Sequence, residues 1–580
     1  MKFNKLFASL VAVSLSTINI HVSAKTILLV PQDNRPVSLA YTVSTAEKSG
    51  YTVLTPPEQY LSTNHHQGLP ELIWSWIDNN IEKADAAVIS TDTLIYGGLV
   101  DSRKHTDSID KLMSREKRIQ QLHEKFPQKP IYAFGTIMRT PYASNTGVEP
   151  YYYTKYGPTI YHIAVLQDKL DKVGLTPNEE KQLTQLKASI PTEYLQDWFN
   201  RREKNNAITQ NLIKYTKDNI FTYFCLGLDD STVYSQSAME ARYLKNDFKN
   251  LSENKLGAFP GADQLALLLI ARYHVDDNQL SPTFNIIYPL GRGEDTIPSY
   301  ESQPVGKTIA QHITAVGGTI NINTPDIVLA ANTPLFTTKE SGQFSNFKMS
   351  KPSTKEFVAS IKNTINKGTP VSIMDIYFAN GSDNTLMGLL SDNELLYKVA
   401  SYNGWNTASN TIGYSIAQAI LAPSMSKQNH KNMLIEQYID NWAYQANVRK
   451  NLYQLSDKYT SKTKKERISP IIEQELIAEI QEFAEKKMNL NPSTISAKFP
   501  WSRLFEIHAL VSNKPVYPKI LTIAEQERIA EEKRLAEEKE KQEALKQKEN
   551  NSQEENFSTQ KVEIDWPEYI LVNVNQNLLK

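Results

Sequence analysis

The sequence predicts an α/β protein built on parallel strands, and three observations carry that prediction. From residue 25 onward apolar strand segments alternate with amphipathic helical segments. The strand segments are continuous apolar runs, not alternating ones, as in parallel sheets covered by helices on both faces. The order is βαβα, which requires right-handed crossovers between neighbouring strands.

Taken in order, KTILLVP (25–31) is the first strand and precedes a helix near 37–49. YTVLTPP (51–57) precedes the helix PELIWSWIDNN, and ADAAVIST (84–91) precedes a helix around 107–126. KPIYAFGTIMR (129–139) is the fourth strand. The rhythm then breaks: residues 141–220 hold an aromatic, turn-rich stretch and two charged helical stretches. This reads as a helical subdomain inserted in a βα loop, where active sites of α/β folds are built. Residues 220–228 resume the strands, and FPGADQLALLLIARYH adds a Pro-Gly turn with Asp263 as the expected cap of a helix. Segments 282–291, 317–322, 326–332, 369–380 and 395–405 are further strands. Eight of them closing into a TIM-like barrel is the preferred architecture, and two doubly wound lobes the alternative.

The α/β domain is expected to span 25–420, with a helical region at 421–520. Residues 521–555 follow as a charged spacer, since AEQERIAEEKRLAEEKEKQ is nearly all Glu, Lys, Gln, Arg and Ala. Its Ile529, Leu535 and Leu545 keep no heptad, which argues against a long coiled coil. Residues 556–580 form a tail with a strand-like stretch, VEIDWPEYILVNVN. At the other end, Lys2 and Lys5, an apolar stretch and Val22-Ser23-Ala24 make residues 1–24 a secretory signal peptide. Export to a bacterial periplasm is expected, with secretion beyond it as the alternative. No run of about 18 apolar residues follows, so no membrane span is expected in the mature form.

The net charge of -1 gives no global field for nucleic acid, and no nucleic-acid partner is expected. The one cysteine, Cys225, lies in an apolar strand and reads as a core residue. No cofactor is expected: the chain lacks both the P-loop and the dinucleotide glycine pattern, and it has no nucleophile elbow. Its 10 His include no chelating pair. An all-oxygen Mg²⁺ or Ca²⁺ site from Asp33, Asp92, Asp229 and Asp230 stays open as an alternative.

Ligands of parallel sheets bind at the carboxyl ends of strands. Those ends hold Asp33, Asn34 and Arg35; Asp92 and Tyr96; Arg139; Asp229 and Asp230; Asp263; Asp375 and Asn380; and Asn403, Trp405 and Asn406. Each alone is an ordinary turn or cap residue. Together they resemble a carbohydrate site, in which Asp, Asn and Arg bond hydroxyls and Trp or Tyr stacks on the sugar. A carbohydrate or peptidoglycan-type ligand is therefore the expected partner.

VPQDNRPVS, STDTLIYGGLVDSR, AFGTIMR, GLDDS, FPGADQLALLLIAR, NGWNTASNTIG and FPWSRLFE, in that order, resemble the motifs of a bacterial family known as domain of unknown function 4127. The resemblance runs from about residue 25 to about 510. The family's first motif is expected to read Asp-Asp-Arg-Pro, whereas Asn34 stands second here. An amide in place of a carboxylate argues against a metal-ligand or general-base role at position 34.

The Asp229-Asp230 pair resembles the adjacent acids of retaining N-acetyl-hexosaminidases, in which the substrate's acetamido group is the nucleophile. That resemblance implies that Asp229 polarises the acetamide and Asp230 is the acid/base, with Asp92 a third acid of the catalytic set that binds sugar together with Asn403, Trp405 and Asn406. The competing readings are a metal-assisted carbohydrate esterase or phosphodiesterase and a non-catalytic glycan-binding protein. A fourth is a purely structural pair neutralised by Arg35, Arg103 or Arg139.

Overall fold

The structure is a computed structural model that describes residues 24–142, 147–347, 352–459 and 468–558. All but Ala24 of the expected signal peptide, and the tail beyond residue 558, lie outside the described residues. The chain divides into two compact units between Ile520 and Leu521.

The first half of the larger unit forms one open sheet. Its strands are β1 (Thr26–Val30), β2 (Thr52–Leu54), β3 (Ala86–Ser90), β4 (Ile131–Ile137), β5 (Tyr223–Leu228) and β6 (Leu256–Pro260). They lie in the order β2-β1-β3-β4-β5-β6, all parallel. β1, β3, β4 and β5 are apolar and almost wholly buried, because helices cover both faces. The local pattern does not mark β6 as a strand. LGAFP carries Gly257 and Pro260, and it tolerates them because it is the edge strand.

The second half contributes β7 (Thr283–Ile287), β8 (Thr319–Ile320), β9 (Ile327–Asn332), β10 (Lys339–Glu340), β11 (Val371–Asp375), β12 (Phe378–Ala379) and β13 (Ser401–Asn403). Five of these make a second parallel sheet, β13-β11-β9-β7-β8, while β10 and β12 pair as a short ribbon. The strands therefore do not close into a barrel. They form two open, doubly wound sheets, and each repeats one rule: the second strand of the sheet returns to one side of the first, and the later strands extend on the other.

Two helices, Leu265–Asp277 and Ala408–Leu421, are buried all round. A helix that is apolar on every side needs cover on every side. They pack on each other, and one reaches β3 and β4 while the other reaches β11 and β13. A continuous core runs through them from one sheet to the other.

Three helices, Tyr153–Val173, Pro177–Ala188 and Thr192–Lys217, lie between β4 and β5 and have a small core of their own around Tyr153 and Trp198. Gly174 ends the first at φ 86°, a conformation open to glycine. The second begins with a capping box: Thr176 Oγ1 accepts from Glu179 N, and Thr176 N donates to Glu179 Oε2 at 2.9 Å. The region from 421 is not helical throughout. It includes the antiparallel pair β14 (Ile495–Lys498) and β15 (His508–Val511), and its helical part contains a buried π-helix, Tyr438–Val448. In the smaller unit, Ile523–Ser558 is one long helix. Among the described residues no helix is long and apolar enough to cross a membrane.

Candidate functional site

The carboxyl ends of the first sheet gather two ionic clusters. The first is centred on Arg35, just past β1. Its guanidinium lies between Asp33, which is fully buried, and Asp263, donating to Asp33 Oδ2 at 2.9 Å and to Asp263 Oδ1 at 2.6 Å. Gln32 Nε2 and Asn406 Nδ2 each donate to Asp263 at 2.6 Å, so this carboxylate joins the end of β6 to a loop of the second sheet. Asp263 does not cap a helix as the sequence led one to expect. Its side chain instead ties the two halves together, and the helix opens at Gln264 without a side-chain cap. Gly261, at φ 116°, makes the turn that lets Asp263 N donate to Asn410 Oδ1 at 3.0 Å.

Trp501 closes this cluster from the C-terminal region. Its Nε1 donates to Asn34 Oδ1 at 2.6 Å, and its ring lies 5.3 Å from the Arg35 guanidinium and 4.6 Å from that of Arg503. Asn34 thus serves as an acceptor for an indole, a task an amide does as well as a carboxylate. Trp501→Ala is expected to cost about 1–3 kcal/mol from the lost hydrogen bond and cation–π contact. Chemical denaturation of wild type and variant measures it.

The second cluster surrounds the paired aspartates after β5. Arg103 donates to Asp229 Oδ2 from Nη2 at 2.5 Å and from Nε at 3.1 Å. Arg139 donates to Asp230 at 2.7 Å and to Glu149 at 2.7 Å, and Glu149 also lies 3.6 Å from Arg103. The neutralising arginines are therefore Arg103 and Arg139, and Arg35 belongs to the other cluster. The inserted helices hold this end in place: Arg202 donates to the carbonyls of Met138 and Arg139 and pairs with Glu240 at 2.7 Å. Asp230 sits at φ 33°, a strained conformation for a non-glycine residue. Burial raises its pKa, with Asp229 adding to the rise and Arg139 opposing it.

Asp92 lies beside Asp229 at the end of β3. It accepts from Thr136 Oγ1 at 2.6 Å, and burial pushes its pKa up to about 7. A raised acid pKa adds stability that is complete below the unfolded value near 4 and is lost as pH rises through about 7. An amide at this position does not titrate and has no such dependence. The melting temperature of Asp92→Asn relative to wild type is therefore expected to be higher at pH 8.5 than at pH 5, read by calorimetry at both.

Four expected site residues are buried. Tyr96 is buried with its ring stacked on His105. Asp375 is fully buried, accepting from Asn332 at 2.8 Å and Tyr402 at 2.9 Å. Asn403 is buried and donates to Gln418 at 2.9 Å. Trp405 is buried beside Phe505. Tyr96 belongs to the core of the first sheet, whereas Asp375, Asn403 and Trp405 are packed within the second lobe. Asp33 is equally inaccessible and works through Arg35.

Sequence reasoning missed Tyr300, Glu301 and Glu340. No periodicity marks them, since two lie on an irregular loop and the third on a two-residue strand. Glu301 is buried, accepts from Ser409 N at 2.5 Å at the start of the buried helix, and is raised to about 7 by burial. Tyr300 O accepts from Ser231 N at 2.8 Å, which sets this loop against the paired aspartates.

Among the described residues no three His, Cys, Asp or Glu side chains are grouped to hold a metal ion. In particular Asp33 lies in the Arg35 cluster, apart from Asp229 and Asp230 in theirs. A cavity of about 740 Å³ lies at the opposite, amino edge of the second sheet, lined mainly by apolar residues such as Ile327, Val399 and Ile420. It contains none of the residues of either ionic cluster.

The family model described as "Protein of unknown function (DUF4127)" matches residues 27–509. The chain belongs to this family. Both ionic clusters and Trp501 lie within the matched span. No curated protein and no solved structure matches the chain.

Proposed function

We propose that this protein is a hydrolase of the glycoside type. It acts on envelope or environmental glycans after export by residues 1–24, and N-acetyl-hexosaminides are the favoured substrates. The supporting observation is the surroundings of Asp230. It is the most exposed acid of its cluster, with its side chain a quarter open, held at positive φ and shifted toward the protonated form by burial. Asp229, held by Arg103, is the fixed anion beside it.

In this reading Asp230 gives its proton to the leaving glycosidic oxygen as that bond breaks. The substrate's acetamido oxygen forms the new bond to the anomeric carbon, and Asp229 accepts the acetamide N–H and balances the positive charge. Asp230, now a carboxylate, takes a proton from the water that opens the intermediate. Arg103 holds Asp229 as the anion, while burial and the neighbouring Asp229 charge favour the protonated form of Asp230 against the pull of Arg139.

A second reading is a glycan-binding protein without turnover. It is favoured by the arginine pairing of both acids, which neutralises them without any need for chemistry. The test is turnover of aryl N-acetyl-hexosaminides and peptidoglycan fragments by residues 25–580, with Asp230→Asn and Asp229→Asn alongside. Turnover that survives in Asp230→Asn overturns the assignment, and turnover that a chelator abolishes moves the chemistry to a metal-assisted hydrolase.

A further inference from the structure

Four residues other than glycine adopt positive φ around the junction between the β5 end and the second sheet: Asp230 (33°), Tyr300 (68°), Asn380 (56°) and Asn406 (66°). Asn tolerates this conformation, but Tyr does so rarely and at a cost. Hydrogen bonds link the four. Ser231 N donates to Tyr300 O at 2.8 Å, Asn380 N donates to Asn406 O at 3.0 Å, and Asn406 reaches Asp263. The ribbon of β10 and β12 carries Glu340, which accepts from Tyr300 Oη at 2.8 Å on one oxygen and from Asn380 Nδ2 at 3.0 Å on the other. Tyr300 is 42% exposed, so its strained backbone does not serve to bury its ring. It turns the carbonyl toward Ser231 and fixes the phenol on Glu340. The phenol lies close enough to Asp230 and Arg139 to feel both charges.

We infer that Tyr300, Glu340 and Asn380 form a pyranose subsite next to Asp230, in which Tyr300 stacks on the sugar face while Glu340 and Asn380 bond its hydroxyls. An aromatic face beside a carboxylate and an amide is the combination that a polyhydroxylated ring requires: apolar C–H groups on one side and hydroxyls at the edge. The carboxylate is held by two donors and keeps acceptor capacity for a hydroxyl. This inference rests on the glycoside reading above and names the group that orients the substrate.

The experiment is calorimetric titration of the mature chain carrying Asp230→Asn with chitotriose, cellotriose and maltotriose. One of the trioses is expected to bind. On the same background Tyr300→Ala is expected to weaken that binding at least about tenfold, while Tyr300→Phe, which keeps the ring, stays within about threefold. Glu340→Gln serves as a second variant should Tyr300→Ala fail to melt cooperatively, with a comparable loss expected. Unchanged affinity in a folded Tyr300→Ala or Glu340→Gln chain, or no binding of any triose, overturns the subsite. Tyr300-dependent binding without turnover in the wild-type chain removes the hydrolase and keeps the subsite. Turnover with a KM indifferent to Tyr300→Ala does the reverse.

Discussion

Arg35→Met lowers the stability of the larger unit by about 3–5 kcal/mol, the expected cost of breaking a buried charge cluster by removing one partner. Methionine retains the length and apolar stem of the side chain, so the loss isolates the charge. Asp33 and Asp263 would then be buried carboxylates without a cation, and each must take up a proton or admit water. The loss is therefore larger at pH 8, where ionisation is forced, than at pH 5. Because Asp263 also holds Asn406, the damage extends to the contact between the two sheets. Denaturant titrations at both pH values measure it. The double variant Arg35→Met with Asp263→Asn is expected to recover part of the loss, since it removes one of the stranded charges. A loss below about 1 kcal/mol would place this cluster with exposed ion pairs, which contribute little.

Asp230→Asn is expected to lower turnover by about 10²–10⁴-fold, the range for a general acid–base group. The amide has the shape of the carboxylic acid but carries no transferable proton. Arg139 keeps Glu149 as its partner at 2.7 Å, so the fold is expected to hold. Unchanged circular dichroism with lost activity is the result that assigns chemistry to this side chain. Asp229→Asn removes the fixed anion instead and leaves Arg103 with Glu149, so a rise in KM should accompany its loss in kcat. If Asp230→Asn destabilises the chain as strongly as Arg35→Met, the pair acts as structural cement and the binding-protein reading gains.

β1, β3, β4, β5 and β9 coincide with apolar runs, because a strand covered on both faces must be apolar at every position. β6 escaped because an edge strand is free of that demand. Residues 395–405 read as one strand, but only Ser401–Asn403 pair, since strand pairing depends on a neighbour that the local pattern does not name. The acidic and basic strand ends were visible as residues, and their partition was not. Asp375 and Asp229 end strands alike, yet one is sealed within the second lobe and the other lies at the junction.

The sequence by itself determined the α/β class, the parallel strands and the residues at the strand ends, while the family was legible only through the resemblance of seven ordered motifs. The class, the strands and their ends follow from periodicity and composition over a few neighbouring positions. Tertiary structure alone decided that the strands form two open sheets rather than a barrel, and that Arg103 pairs with Asp229 while Arg139 pairs with Asp230. It alone brought Trp501 onto Arg35 and Tyr300 against Ser231. Arg103 and Asp229 stand 126 residues apart in the chain, and Asn34 and Trp501 stand 467 apart. The physical reason is that a charge or indole takes whichever partner the completed packing presents. That choice is made by elements far apart in the chain, and no local pattern records it.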